Sequence, residues 1–194
     1  MYENFIKKSI DFTIAVITFL IFSPIFLIIY IAVKLESKGG FFFYQQRIGK
    51  NGELFNIFKI RTMTDKPREA SNEVLKGNAE VTRVGAFLRR FKIDEFPQII
   101  NVLKGDMSFI GPRPCMPSLL DKFNEDAKKR LETKPGLTGL AQTNGNIYLT
   151  WEERWRYDKY YVENMSFLLD VKIFFKTLLL LFVGEEKLLK KTNV

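Results

Sequence analysis

The feature that most constrains this chain is an apolar stretch near its N-terminus, residues 12–33, interrupted only by two threonines, a serine, a proline and a tyrosine. As an α-helix, these 22 residues extend about 33 Å, enough to cross the hydrocarbon core of a bilayer. A cleaved signal peptide fits poorly, because the apolar region is too long and no small-residue cleavage site follows it. The stretch therefore predicts insertion into a membrane.

Two features bear on how the stretch enters the membrane. Pro24 lies at its midpoint, where it removes one helical hydrogen bond and clashes with the preceding turn. Lys7 and Lys8 precede the stretch and Lys34 follows it, and basic flanks favour the cytoplasmic side. A re-entrant hairpin that breaks at Ser23 and Pro24 satisfies both observations, with the Ser23 hydroxyl bonding a carbonyl that Pro24 leaves free. A kinked span remains the alternative.

Composition excludes several kinds of chemistry. The 194-residue chain has a net charge of +8, no histidine and a single cysteine, Cys115. Without histidine, Ser-His-Asp and Cys-His catalysis and His-ligated zinc are impossible. The basic balance indicates an anionic partner, which can be nucleic acid, anionic lipid or a phosphorylated substrate. Any catalysis must rely on carboxylates, Lys, Tyr, Ser or a bound cation.

Local patterns divide the chain into a membrane segment, residues 1–35, and a domain, residues 36–194. Turn residues at 50–53 predict a β-hairpin, and a helix is expected to begin at a Thr82 cap. Residues 65–78 are predicted to form a loop. The remaining predicted elements are helices at 94–104, 116–133 and 166–183. The last of these is apolar but contains Asp170 and Lys176, which suits either a helix lying in the membrane interface or one buried against the domain.

Asp94 and Glu95 open the predicted helix at 94–104. Acidic residues at a helix N-terminus commonly serve only as caps. In a chain without histidine, however, a carboxylate is also a candidate nucleophile that forms an acyl phosphate. A helix N-terminus, nearby arginines or a magnesium ion would favour its ionised form. Both interpretations follow from the residues alone.

Cationic residues surround this acidic pair in sequence. Arg113 lies between Pro112 and Pro114, and a rigidly held arginine is suited to clamp phosphate. Lys59, Arg61 and Arg89 are further candidates, although an exposed surface charge explains each of them equally well. Basic and aromatic residues also alternate around 151–161, a pattern that can bind nucleic acid, but the membrane segment argues against that partner.

Five sequence blocks together resemble a known family. They are LRRFKIDEFPQ at 88–98, NVLKGDMSFIGPRP at 101–114, FKIRTM at 58–63, KPGLTG at 134–139, and the tyrosines and acidic and amide residues at 157–164. These blocks closely resemble the core of the bacterial sugar transferases, the monotopic polyprenyl-phosphate phosphoglycosyl transferases. The likeness covers almost the whole chain, including the Ser23-Pro24 pair.

The resemblance implies a mostly helical α/β fold, in which a re-entrant membrane hairpin joins a small globular domain with interfacial amphipathic helices. It implies an enzyme at the cytoplasmic face of the bacterial inner membrane. That enzyme transfers a sugar phosphate from a UDP-sugar to undecaprenyl phosphate and needs Mg²⁺. Asp94 would be the nucleophile and a magnesium ligand, and Glu95 would assist, either as a proton acceptor or by positioning.

The resemblance also assigns phosphate contacts, to Lys59, Arg61, Arg89 and Arg113. One departure concerns Asn146, because many family members have arginine at this point; Arg154 or Arg156 would then have to substitute. A non-enzymatic basic adaptor that binds anionic lipid is the competing function, and a homo-oligomer is compatible with the sequence.

Overall fold

The computed structural model describes residues 2–64 and 80–184. A π-helical turn, Tyr2–Lys7, leads into the long helix α1, Lys8–Glu36. Two strands follow, β1 at Phe42–Ile48 and β2 at Leu54–Ile60. The predicted loop at 65–78 lies outside the described residues. The division of the chain at residue 35 stays a prediction.

The remainder is built from short elements. The helices are α2 at Arg83–Arg90, α3 at Ile99–Lys104, α4 at Glu125–Lys129, α5 at Leu140–Thr143, α6 at Trp151–Glu163 and α7 at Phe167–Val183. Two further strands are β3, Ser108–Ile110, and β4, Gly136–Thr138. Strands β1 and β2 pair antiparallel, with Phe42 opposite Ile60, whereas β3 and β4 pair in parallel. The predicted mostly helical α/β class agrees with this architecture.

Helix α1 is continuous through Ser23 and Pro24, so the predicted break is wrong as an interruption of the helix. The physical reason lies in the hydrogen bonds. Pro24 cannot donate to the Leu20 carbonyl, and the Ser23 hydroxyl donates to that carbonyl instead, at 3.0 Å. The serine therefore satisfies the acceptor that proline leaves free, as expected from the sequence. Whether the helix changes direction within the bilayer stays a prediction.

The domain contacts α1 along its whole length. Near its N-terminus, Asp11 accepts a hydrogen bond from the Phe109 amide, and Ala15 is fully buried against the core around Ile57 and Ile99. At its C-terminus, Glu36 accepts hydrogen bonds from the Arg83 and Val84 amides, at 2.7 and 2.9 Å. Both amides lie in the first turn of α2, where amides have no partner within the helix, so Glu36 caps the N-terminus of α2. Helix α1 is thus part of the fold rather than a detached anchor.

Helix α7 has one buried face and one exposed apolar face, and a position in the membrane interface stays a prediction. Asp170, Ile173 and Leu180 are buried against the domain. Tyr161 and Lys7 both donate hydrogen bonds to the Asp170 carboxylate. Its other side is apolar and exposed; Phe167, Leu168, Phe175 and Phe182 lie there. One face of α7 therefore packs in the core, and the other presents an apolar surface.

Two local predictions have different outcomes. The Thr82 hydroxyl accepts a hydrogen bond from the Gly85 amide at 2.9 Å, so the cap of α2 is confirmed. The single helix expected at 116–133 is wrong, because 3₁₀ turns flank the short α4. Phe123 adopts an extended conformation, which places its ring against Trp155 and under the Arg130 guanidinium.

Candidate active site

Asp94 and Glu95 lie in a 3₁₀ turn, Ile93–Gln98, that continues directly into α3. The helix expected from residue 94 therefore begins as a tighter turn. Lys92, in a left-handed conformation with φ of 56°, separates this turn from α2. The next side chain, Phe96, packs between Phe22 and Phe26 of α1, with ring centroids 4.7 and 5.2 Å away. The acidic pair thus directly precedes a residue that packs on α1 on either side of its Ser23-Pro24 pair.

Glu95 is held by two cations. Lys59 Nζ lies 2.8 Å from its Oε1 atom, and Arg113 Nη2 lies 2.8 Å from the same oxygen. Burial opposes ionisation of this carboxyl, but Arg113 and Lys59 outweigh burial and hold the pKa of Glu95 far below its usual range. The two cations therefore favour the ionised form of Glu95.

Asp94 has the opposite electrostatic environment. Burial raises the pKa of its carboxyl, and the adjacent Glu95 charge raises it further, whereas Lys59 and Arg89 lower it. Among the described residues, no side chain donates a hydrogen bond to the Asp94 carboxylate. Asp94 and Glu95 are neighbours in sequence, yet one carboxylate is committed to two cations and the other is not. Only Asp94 is available to react or to bind a ligand.

Three of the four predicted phosphate ligands gather at this pair. Lys59 extends from β2, Arg113 follows β3, and Arg89 from α2 donates through Nε to the Thr62 hydroxyl at 2.7 Å. Arg61 lies elsewhere. It is buried, and its guanidinium donates to the backbone carbonyls of Ser37 and Lys38, just after α1. The structure therefore gives Arg61 a structural contact, and its predicted role in binding phosphate has no support from its position.

Arg113 is positioned by a buried ion pair that sequence reasoning did not identify. Arg130 Nη2 donates to the Arg113 carbonyl at 2.5 Å and lies 3.2 Å from Asp158 Oδ2. Burial raises the pKa of Asp158 to about 6, although Arg130 and Arg154 oppose the rise. Asp158 belonged to one of the sequence blocks described above, but nothing in the sequence placed it behind Arg113. The pair fixes the backbone of the loop that directs Arg113 at Glu95.

A cavity of about 520 Å³ opens beside these residues. This volume is typical of a site for a small organic ligand. The residues that line it include Lys59, Gln98, Arg113, Gln142, Trp151 and Arg154. Asn146, the departure from the family pattern, lines the cavity as Arg154 does, whereas Arg156 is not among the lining residues. The cationic side chains in this lining suit a ligand that carries phosphate.

No group of three or more His, Cys, Asp or Glu side chains suited to hold a metal occurs within residues 2–64 and 80–184. A dedicated cage of protein ligands is therefore absent from this part of the chain. Magnesium commonly binds through one or two carboxylates together with substrate phosphates and water. The uncommitted carboxylate of Asp94 fits that mode.

Comparison with known proteins agrees with this geometry. Residues 2–184 match the model of the bacterial sugar transferase family. The chain is 39% identical over 180 residues to EpsL of Bacillus subtilis, described as an uncharacterized sugar transferase, and the match covers 93% of this chain and 89% of EpsL. It is 37% identical over 188 residues to the exopolysaccharide production protein ExoY of Rhizobium meliloti, covering 89% of this chain and 83% of ExoY.

A third relative is named for its reaction. The chain is 38% identical over 187 residues to the UDP-N-acetylgalactosamine-undecaprenyl-phosphate N-acetylgalactosaminephosphotransferase of Aeromonas hydrophila, covering 93% of this chain but 44% of that protein. The activity in that name therefore belongs to a protein more than twice as long as the part of it that this chain matches. The family match extends over nearly all the described residues, including the acidic pair and the cavity. The chain belongs to the bacterial sugar transferase family, and undecaprenyl-phosphate sugar phosphotransferases are among its homologues.

Proposed function

We propose that this protein transfers a sugar 1-phosphate from a UDP-sugar to undecaprenyl phosphate through a covalent phosphosugar intermediate on Asp94, and so initiates synthesis of a polysaccharide or glycoconjugate. The observation that carries the proposal is the unequal pair of carboxylates beside Lys59 and Arg113, two cations that line the cavity. Asp94 is uncommitted, while Glu95 holds Lys59 and Arg113 beside it. This is the arrangement that nucleophilic attack on a phosphate requires, an available carboxylate next to fixed positive charge.

The first step joins Asp94 to the sugar-bearing phosphorus. A carboxylate oxygen of Asp94 attacks that phosphorus, the bond to the bridging oxygen breaks, and UMP leaves with the electron pair. Lys59 and Arg113 stabilise the negative charge that develops on the phosphate oxygens. Glu95 keeps both cations in place before the donor arrives, so little reorganisation is needed during the step.

The second step reverses the chemistry at the same phosphorus. An oxygen of the acceptor phosphate attacks the phosphorus of the intermediate, and its bond to Asp94 breaks. The product is the lipid diphosphate sugar, and the Asp94 carboxylate is restored. Because the acceptor phosphate attacks through an oxygen that already carries negative charge, no separate proton acceptor is needed. Glu95 therefore acts by positioning.

Asp94, with the donor phosphates, would hold the Mg²⁺ that the family resemblance implies. When bound, the ion neutralises phosphate charge and makes the phosphorus easier to attack. The residues of this chain fit such a site because Asp94 is free of side-chain donors among the described residues. Lys59, Arg89 and Arg113 supply the remaining positive charge around it.

Placement of the site on α1 supports a membrane-embedded acceptor and a location at the cytoplasmic face of the inner membrane. A straight helix of 29 residues extends about 44 Å, more than the hydrocarbon thickness of about 30 Å. Yet one domain contacts both ends of α1, through Asp11 and Glu36, and its middle through Phe96. A domain on one side of a bilayer cannot reach both ends of a straight span. These contacts support a helix whose ends both lie at the cytoplasmic face.

That topology predicts the outcome of cysteine labelling. Lys8→Cys and Lys38→Cys, at exposed positions on either side of the apolar stretch, should both react with a membrane-impermeant maleimide applied from the cytoplasmic side. Leu27→Cys, which lies within the apolar stretch, should be protected in vesicles and react in detergent. The parent chain is the background control, because its single cysteine, Cys115, is buried. Labelling of the two lysine positions from opposite sides would refute the re-entrant topology.

The covalent step is tested by intact mass. Incubation of the purified protein with UDP-sugars and Mg²⁺, without lipid acceptor, should add the mass of one sugar phosphate and release an equal amount of UMP. Addition of undecaprenyl phosphate should then remove the added mass. A protein that binds anionic vesicles with steep salt dependence, but acquires no adduct from any UDP-sugar, would be the basic adaptor instead.

A further inference from the structure

We propose that the cavity binds the nucleobase of the donor, with the Gln142 carboxamide bonding the edge of the base and the stacked Trp151 and Arg154 side chains covering its face. This inference rests on the proposed function, because it assumes a nucleotide donor. It adds the residues that recognise the nucleotide and the orientation of the donor in the cavity.

The first observation is the state of Gln142. Its side chain lines the cavity, and both polar atoms of its carboxamide, Oε1 and Nε2, are buried without a hydrogen-bond partner among the described residues. Buried amide groups in folded proteins are nearly always paired, since an unpaired one loses its hydration without compensation. An unpaired carboxamide in the wall of a cavity is therefore explained by a ligand that supplies the partners.

The chemistry of that partner follows from the carboxamide itself. The group offers one acceptor oxygen beside a donor NH₂. The edge of uracil presents an N–H next to a carbonyl oxygen, so one carboxamide can form two parallel hydrogen bonds with it. A phosphate presents acceptors only, and hydroxyl groups rotate, whereas the base holds its donor and acceptor side by side in one plane. Gln142 therefore suits the rigid edge of a base.

The second observation is a flat surface in the lining of the same cavity. The Arg154 guanidinium lies over the Trp151 ring, with its central carbon 4.7 Å from the ring centroid. Both side chains line the cavity, as Gln142 does. Bases pack readily on aromatic rings and on the planes of arginine side chains. The Trp151–Arg154 pair supplies such a plane where the carboxamide supplies an edge partner.

The direction of the reaction gives the same orientation. Attack by Asp94 on the sugar-bearing phosphorus requires the leaving group to lie on the opposite side of that phosphorus. With the phosphates held at Lys59 and Arg113, the departing UMP points away from Asp94 and into the cavity. Its base then lies in the cavity that Gln142 lines, and the sugar lies nearer the acidic pair.

The test separates the base from the phosphate. Binding of UMP and of ribose 5-phosphate, which lacks the base, is measured by calorimetry on the purified full chain and on Gln142→Leu. The parent should prefer UMP by about tenfold or more, the loss expected for unpaired hydrogen-bonding groups. Gln142→Leu should weaken UMP about tenfold and leave ribose 5-phosphate within about twofold. Gln142→Glu keeps the shape of the side chain but loses the donor NH₂, so it should also lower the affinity for UMP. This variant provides the test if Gln142→Leu misfolds.

The matched control is Gln46→Leu, at an exposed position on β1 that does not line the cavity, and it should bind both ligands as the parent does. An unchanged preference for UMP in both Gln142 variants would overturn the inference, and so would equal weakening of UMP and ribose 5-phosphate. Failure of the proposed function looks different, because the parent would then acquire no phosphosugar adduct from any UDP-sugar. The adduct measurement and the binding ratio therefore fail independently.

Discussion

Replacement of Asp94 by asparagine should lower UMP release from the UDP-sugar by about 10⁴-fold or more and abolish the phosphosugar adduct, as expected when a covalent nucleophile is removed. Asparagine keeps the shape of the side chain but its amide is a far weaker nucleophile than a carboxylate. The fold should not suffer. Burial and the Glu95 charge both disfavour the ionised Asp94 carboxylate, so the neutral amide relieves an unfavourable charge. UMP release, intact mass and thermal unfolding are measured on the same sample.

Two variants show whether the effect belongs to Asp94. Asp121→Asn removes an exposed carboxylate outside the site and should leave both activity and adduct unchanged. Glu95→Gln removes the anion that holds Lys59 and Arg113, so it should slow UMP release by about 10²- to 10³-fold, a range typical of losing one preorganised electrostatic contact. It should still form the adduct. An adduct on Asp94→Asn, combined with none on Glu95→Gln, would show that Glu95 is the nucleophile and Asp94 the positioning residue.

The parts of the fold that sequence predicted are those governed by local physics. Gly105 ends α3 in a left-handed conformation, with φ of 85°, and glycine adopts it without the steric cost that other residues meet. Asn51 and Gly52 form the turn between β1 and β2, both at positive φ. The Thr82 cap of α2 is equally local, because the amide that its hydroxyl accepts from belongs to Gly85. In each case, the residues that determine the conformation lie within a few positions of one another.

The errors arise where distant contacts decide the conformation. Arg61 is basic and follows a strand, but its partners are the carbonyls after α1, and no local pattern links positions 61 and 37. The turn at Asp94 is held by Phe22 and Phe26, which are equally remote. At Pro24, the Ser23 hydroxyl bonds the carbonyl that proline leaves free, as the sequence predicted. The sequence did not determine that the helix would continue through this point.

The candidate site shows the same division. Its charged residues were identifiable because each belongs to a block that resembles the family. The residues alone did not rank Glu95 against Asp94; only the family resemblance did, and the physical difference lies in which carboxylate Lys59 and Arg113 reach. Nor could the sequence connect Asp158 to Arg113, since Arg130 joins them through space. Gln142 carried no signal in sequence, because only the structure reveals an amide without partners.

The loop that carries Arg113 depends on close backbone packing at Gly136. A Cβ atom at Gly136 would lie 2.1 Å from the Gly111 nitrogen and 2.6 Å from the Thr138 oxygen. Both contacts are with backbone atoms, which cannot rotate away from an added Cβ as a flexible side chain could. The same region is tied by hydrogen bonds from the Gly136 amide to the Pro112 carbonyl and from the Gly111 amide to the Thr138 carbonyl, each 2.9 Å long. The spacing between β3 and β4 therefore leaves no room for a side chain at position 136.

Gly136→Ala should accordingly lower the free energy of unfolding by about 3 kcal/mol or more, as overpacking against a rigid neighbour does, and lower Tm by roughly 10 °C for a chain of this size. Thermal unfolding in detergent, followed by tryptophan fluorescence, measures the change. Gly40→Ala is the matched control, because its nearest contact, the Phe42 oxygen at 3.6 Å, is an ordinary one. Since the strand pair leads directly into Arg113, any folded Gly136→Ala protein should also lose most UMP release. A variant that unfolds with the parent and keeps its activity would show that β3 and β4 can separate without moving the phosphate clamp.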